Sequence, residues 1–96
     1  MLQFVIIASD GTDGGALDRR RQVRPDHLAG AKRLKDTNNF ITGGATLNAA
    51  GEMCGSVMIV QFETQNEFDD WLKTEPYING KVWEKIEVHP FRVANV

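Results

Sequence analysis

Residues 2–9, Leu2-Gln3-Phe4-Val5-Ile6-Ile7-Ala8-Ser9, form a run of strand length rich in β-branched and aromatic side chains. Successive side chains of a strand point to opposite faces, which puts Leu2, Phe4, Ile6 and Ala8 on one side and Val5 and Ile7 on the other. A strand apolar on both sides belongs inside a sheet, with both faces covered. Ser56 to Glu63 repeats the pattern, with Met58, Val60 and Phe62 on one face and Val57 and Ile59 on the other. A second central strand is expected there.

Working outward, Phe40 to Leu47 is strand-like but interrupted by Gly43-Gly44, a pairing expected to mark a bulge or a close approach to the backbone. Asn48 to Gly55 reads as a hairpin-type loop. Val82 to Val93 is the last strand. Alternation sets Val82, Ile86 and Val88 on one of its sides and Trp83, Lys85, Glu87, His89 and Phe91 on the other. Pro90 cannot donate to a ladder, so this strand belongs at an edge.

Two helical stretches separate the strands. Ala16 to Val23 is a short helix, and Pro25 restarts a second stretch that runs to about Asp36. Thr37-Asn38-Asn39 ends it, with an asparagine suited to the left-handed terminal position. Thr64 to Glu67 has capping-box spacing, and the helix behind it carries Phe68, Trp71 and Leu72 on one face to about Thr74. Those aromatics are core residues. Glu75-Pro76-Tyr77 breaks the helix and Asn79-Gly80 turns the chain.

The resulting order, β-α-β-β-α-β, is that of a single α+β domain over residues 1–96, a ferredoxin-like plait. Its four-stranded antiparallel sheet carries both helices on one face. The other face then presents Val5, Ile7, Val57, Ile59, Trp83 and Phe91. So much apolar surface predicts a homodimer packed through the sheet face.

The chemistry concentrates in Arg19-Arg20-Arg21-Gln22-Val23-Arg24-Pro25-Asp26-His27-Leu28. With a helix starting at Pro25, His27 sits in its first turn, on the face of Ala31 and Leu34. An imidazole at the positive end of a helix tends to stay neutral at physiological pH, as a general base requires. A lone histidine on a packing face is more often a hydrogen-bonded structural residue, so spacing alone does not make it a catalyst. Arg20, Arg24 and His27 stand at i, i+4 and i+7 and share a face if the two stretches are coaxial. On that spacing Arg20 and Arg24 read equally as solvated surface or as cations turned toward His27. Arg19 and Arg21 read as solvated. Ser9, His27, Gly43-Gly44 and the Glu75–Tyr77 turn are expected to line one cleft.

Composition narrows the partners. The hydrophobic and charged fractions, 42% and 25%, are those of an ordinary soluble protein. A formal charge of −2 gives no reason to expect nucleic acid or an anionic membrane. The arginine cluster is local and suits a small anion. Cys54 is the only cysteine, so it forms no intrachain disulfide, supplies no sulfur zinc set, and reads as an incidental thiol. Asp10 to Gly15, DGTDGG, reads as a solvated loop without calcium-loop spacing. No apolar run has membrane-spanning length and no basic-then-apolar leader is present, so the expected location is the cytoplasm.

Arg20, Arg24, Pro25, His27 and Leu28 spell R-x-x-x-R-P-x-H-L, which resembles the signature of the YciI-like (YCII-related) family. Thr42-Gly43-Gly44, Gly55-Ser56, Pro76-Tyr77 and Val88-His89-Pro90-Phe91 agree with it in order along nearly the whole chain. The resemblance implies a dimeric α+β barrel and an active-site pair of a histidine with the aspartate of a D-P-Y turn. The histidine maps to His27. The aspartate's place is held by Glu75, which keeps the carboxylate but adds a methylene.

One branch of the family resembles dehydrochlorinases of chlorinated hydroxyquinols, and related barrels include muconolactone isomerases. The function expected on that basis is a cofactor-independent lyase or isomerase acting on a small oxygenated substrate, aromatic or lactone, without a metal. His27 and Glu75 would form the acid/base pair, with Arg20, Arg24, Ser56 and Tyr77 binding an anionic substrate. The competing expectation is a non-catalytic small-anion-binding or accessory dimer, because fold likeness alone does not fix function. Neither Ser9 nor Ser56 lies in a nucleophile-elbow context.

Overall fold

The two doubly apolar runs lie side by side at the centre of the sheet, as their composition requires. In the computed structural model, which describes residues 1–96, strand β1 is Leu2–Asp10, β2 is Phe40–Leu47, β3 is Met53–Phe62 and β4 is Trp83–Phe91. The sheet order is β2-β3-β1-β4, with every pairing antiparallel. This is the ferredoxin-like plait, and β4 with its Pro90 lies at one edge. Helix α1 spans Ala16–Asp36, α2 spans Gln65–Leu72, and a single helical turn, α3, spans Pro76–Asn79.

All helices cover one face. Phe4, Ile6 and Ala8 of β1 and Met58, Val60 and Phe62 of β3 form one buried cluster with Leu34 of α1, Phe68 of α2 and Tyr77 of α3. Phe4 stacks on Phe68 at 4.1 Å between ring centroids. Burying side chains of this size contributes roughly 1.5–3 kcal/mol each. The opposite face carries Val5, Val57 and Ile59 half-buried and Ile7 and Phe91 exposed. No helix is long and apolar enough to cross a membrane.

Trp83 departs from the expected face. Ser9 pairs with Lys85 but Asp10 pairs with Trp83, so the register shifts by one residue and Glu84 is looped out. A bulge reverses the alternation on its strand. Trp83 therefore turns inward among the helices at 5% exposure, while Ile86 and Val88 keep the helix side opposite Ala8 and Ile6. The bulges expected at Gly43-Gly44 fall on either side of it, between Phe40 and Thr42 and between Thr46 and Leu47. Gly43 still answers to close approach: a Cβ there would lie 2.8 Å from the Val57 carbonyl oxygen.

Helix α1 also differs from expectation, for it runs unbroken through Pro25. Proline removes one hydrogen bond and crowds the carbonyl four residues back, at a cost of about 3 kcal/mol. Packing of Ala16 and Arg20 before Pro25 and Leu34 after it carries the helix across. Its end follows the sequence closely. Asn38 takes φ 62°, its N–H donates to Lys35 O, and Asn39 N–H donates to Leu34 O, the two bonds of a Schellman stop. Thr64 caps α2 by accepting from Glu67 N–H at 3.1 Å.

Candidate functional site

Because α1 is continuous, Arg20 and His27 lie two turns apart on one face, about 10.5 Å along the axis. The ring of Tyr77 fills the space between them. Its plane stacks on the His27 imidazole at 4.0 Å and 15°, and the Arg20 guanidinium carbon lies 4.6 Å from its centroid. Guanidinium, phenol and imidazole thus form a three-layer stack, closed on one side by Trp83, whose ring is edge-on to His27 at 6.2 Å.

Local sequence explains how Tyr77 gets there. Glu75 is the N-cap of α3 and Pro76 occupies its first turn, where a missing N–H costs nothing. Gly80 lets that turn seat against α1, since a Cβ would meet Val23 Cγ2 at 2.8 Å and Pro76 O at 2.9 Å. The Glu75 carboxylate is only 3% exposed, and its Oε1 accepts from Tyr77 N–H at 3.1 Å. The same oxygen meets His27 Nδ1 at 2.5 Å. A carboxylate oxygen accepts, so Nδ1 carries a proton, and whenever the ring is neutral its lone pair is on Nε2.

His27 lies mid-helix, not in a first turn, so the helix dipole expected to act on it is spent before reaching it. Glu75 orients the ring instead. The extra methylene relative to an aspartate leaves the pair in contact.

Beneath the stack lies a buried charge network. Arg20 Nη1 donates to both carboxylate oxygens of Asp10, at 2.9 and 3.1 Å, with each side chain 3% exposed. Arg20 Nη2 donates to Ser56 Oγ at 2.8 Å, and Trp83 Nε1 donates to the same oxygen at 3.2 Å. Arg20 and Ser56 are therefore brought to the site but face its interior. Two donors in it have no protein partner, Arg20 Nε and the Tyr77 hydroxyl. Burial raises the Tyr77 phenol above its ordinary range, opposed by the charges of Arg20 and Arg24, so the hydroxyl stays a donor at neutral pH. Arg24 itself is exposed and stands at the rim.

The expected cleft is drawn differently. Ser9 sits on the open sheet face between Gly55 and Lys85, and Gly43-Gly44 lies against Met58 and Val57 on the edge strand. Neither reaches His27. A hollow of about 170 Å³ opens behind Glu75, between α1 and the end of α2. Another, of about 440 Å³, opens beside Trp83. His27 lines neither, and its side chain is 12% exposed.

Two participants escaped the sequence, Asp10 and Trp83. Asp10 continues the buried row Phe4, Ile6, Ala8, and a carboxylate on that face needed a buried cation; the alternation held the sign. Trp83 was hidden by the bulge, which composition does not announce. Arg19 lies at the surface, as expected, where it grips Asp13 with Nη1 and Nη2 at 3.0 and 2.9 Å and donates from Nε to Lys81 O at 3.3 Å. That grip holds the Asp13 carboxyl at about 2 and tethers the Asp10–Gly15 loop. No three His, Cys, Asp or Glu side chains converge as a metal set.

The YCII-related domain model matches residues 2–92. Protein YciI of Escherichia coli is 33% identical over 95 residues, spanning 93% of this chain and 95% of its own. An uncharacterized protein of Haemophilus influenzae is 32% identical over 97 residues, spanning 95% and 97%. The 5-chloro-2-hydroxyhydroquinone dehydrochlorinase TftG of Burkholderia phenoliruptrix, solved with 2,5-dihydroxybenzoquinone, has a TM-score of 0.82 at 25% identity, covering 96% of this chain and 95% of that one. A dimeric ferredoxin-like protein of unknown function from Jannaschia shares the fold, with a TM-score of 0.60 at 12% identity over 97% and 100% of the chains.

Proposed function

The chain belongs to the YCII-related domain family, and on that footing we propose that it is a cofactor-independent lyase or isomerase of small oxygenated substrates, aromatic or lactone. The likeness to a hydroxyquinol dehydrochlorinase favours loss of hydrogen chloride from a chlorinated hydroxyquinol. The observation that carries the reading is the 2.5 Å contact of His27 Nδ1 with Glu75 Oε1. It fixes the ring so that Nε2, which has no protein partner, is the nitrogen left to take a proton.

In the proposed elimination, His27 Nε2 accepts a hydroxyl proton of the substrate. A second hydroxyl proton moves to the ring carbon that bears chlorine, the first oxygen's electrons form a carbonyl through the ring, and chloride departs with the electron pair of its bond. One proton and one chloride are lost, so no oxidant enters. Glu75 favours the imidazolium as it forms. The Tyr77 hydroxyl and the Arg24 cation hold negative charge on the substrate's oxygens. Arg20, set by Ser56 and Asp10, bears on the substrate through Tyr77.

Assembly belongs to the same proposal: a homodimer through the open sheet face, which would cover Ile7 and Phe91. A second reading is favoured by the inward commitment of Arg20 and Ser56, which suits a non-catalytic dimer that holds a small anion at Arg24 and Tyr77.

The test is a screen of the purified protein against hydroxyquinols, muconolactones and their halogenated forms, with chloride release and ultraviolet spectra as readouts. On whichever compound turns over, His27→Ala lowers the rate by about a hundredfold or more. A folded His27→Ala protein at wild-type rate removes His27 from the role. Binding without turnover across the panel favours the second reading.

A further inference from the structure

Asp10 touches no substrate in the chemistry above, yet it is among the most enclosed charges in the chain. It is 6% exposed, on the last position of the core-facing row of β1, and both its oxygens accept from one nitrogen of Arg20. We propose that Asp10 is a positioning residue for His27, acting through Arg20 and Tyr77. The proposal deepens the reading of His27 and Glu75 as the proton-handling pair and rests on it.

The coupling is mechanical. A guanidinium is planar, and three hydrogen bonds, two to Asp10 and one to Ser56, fix the orientation of that plane. The plane is one wall of the slot that holds the Tyr77 ring, and His27 is the other wall. Tyr77 in turn donates its N–H to the oxygen of Glu75 that His27 meets. With the carboxylate of Asp10 gone, a buried cation faces only a hydroxyl and is drawn toward water. Tyr77 loses its backing wall, the ring is free to tilt, and the imidazole resting on it loses its line to Glu75. Packing alone does not ask for a carboxylate at position 10, since the three preceding core-facing residues of the strand are apolar.

The His27 Nδ1 proton reports this without any substrate. A proton held between a ring nitrogen and a carboxylate at this separation gives a ¹H resonance far downfield of the amides, assignable by its loss in His27→Ala. Wild type should show it. In Asp10→Asn, and in the paired Asp10→Asn/Arg20→Gln variant that avoids a lone buried cation, it should lose more than half its intensity or move upfield. The amide spectrum should stay dispersed in the paired variant. Val60→Ala, a core truncation elsewhere in the sheet, should weaken the fold and leave the resonance in place. A folded paired variant with the resonance at wild-type position and intensity overturns the role of Asp10 and leaves the His27–Glu75 pair standing. A wild-type protein without the resonance overturns the pair, and the proposal with it.

Discussion

At the scale of single residues, the site holds polar groups that the fold alone does not account for. The Tyr77 hydroxyl is buried with no protein partner, a state that costs about 1–3 kcal/mol. Removing the oxygen while keeping the ring leaves the stack on His27 and the wall against Arg20 intact. Tyr77→Phe should therefore melt at or above the wild-type temperature, by up to about 1 kcal/mol of added stability, and bind an anionic substrate more weakly. Calorimetry and a binding titration on the same preparation check both halves. The ion pair of Arg20 with Asp10 behaves oppositely, because removing one partner strands the other in the interior.

At the scale of elements, α1 carries the clearest disagreement between sequence and fold. Pro25 signals a break, and the apolar pattern after it reads well as a fresh start. Arg20 cannot be recognised as buried until its partner is known, and Asp10 lies across a loop that holds no periodic pattern. Restoring the missing hydrogen bond tests the account directly: Pro25→Ala should stabilise the protein by about 1–3 kcal/mol, read as the midpoint of urea unfolding. Strand alternation failed at one place for one reason. The bulge at Ser9–Asp10 inserts Glu84 and turns Trp83 inward, and no residue type there foretells it. What was legible was legible through physics with a fixed period or a fixed cap: both central strands, the Thr64 cap, the Asn38 stop and the face shared by His27 and Leu34.

At the scale of the whole molecule, the plait covers one sheet face with helices and leaves the other to Val5, Ile7, Val57, Ile59 and Phe91. The homodimer proposed for that face makes a simple demand. Ile7→Lys puts a charge at the middle of the face, 41% exposed in the single chain, and should halve the sedimenting mass without loss of helix signal. A wild-type protein that sediments as a monomer at tens of micromolar would set the dimer aside. The fold would stand either way, since the core lies wholly on the helix side.

One contact joins these scales: a carboxylate from a short turn after α2 meets an imidazole in the middle of α1, and in the proposed chemistry it steers that ring's proton. Its most direct test compares wild type with Glu75→Gln in chloride release from a chlorinated hydroxyquinol, or in turnover of whichever substrate the screen returns. The amide keeps the size and the N-cap but gives up the charge that favours the imidazolium. Wild type should turn over and Glu75→Gln should fall by about a hundredfold with the fold intact; turnover by Glu75→Gln at the wild-type rate would contradict the role proposed for Glu75.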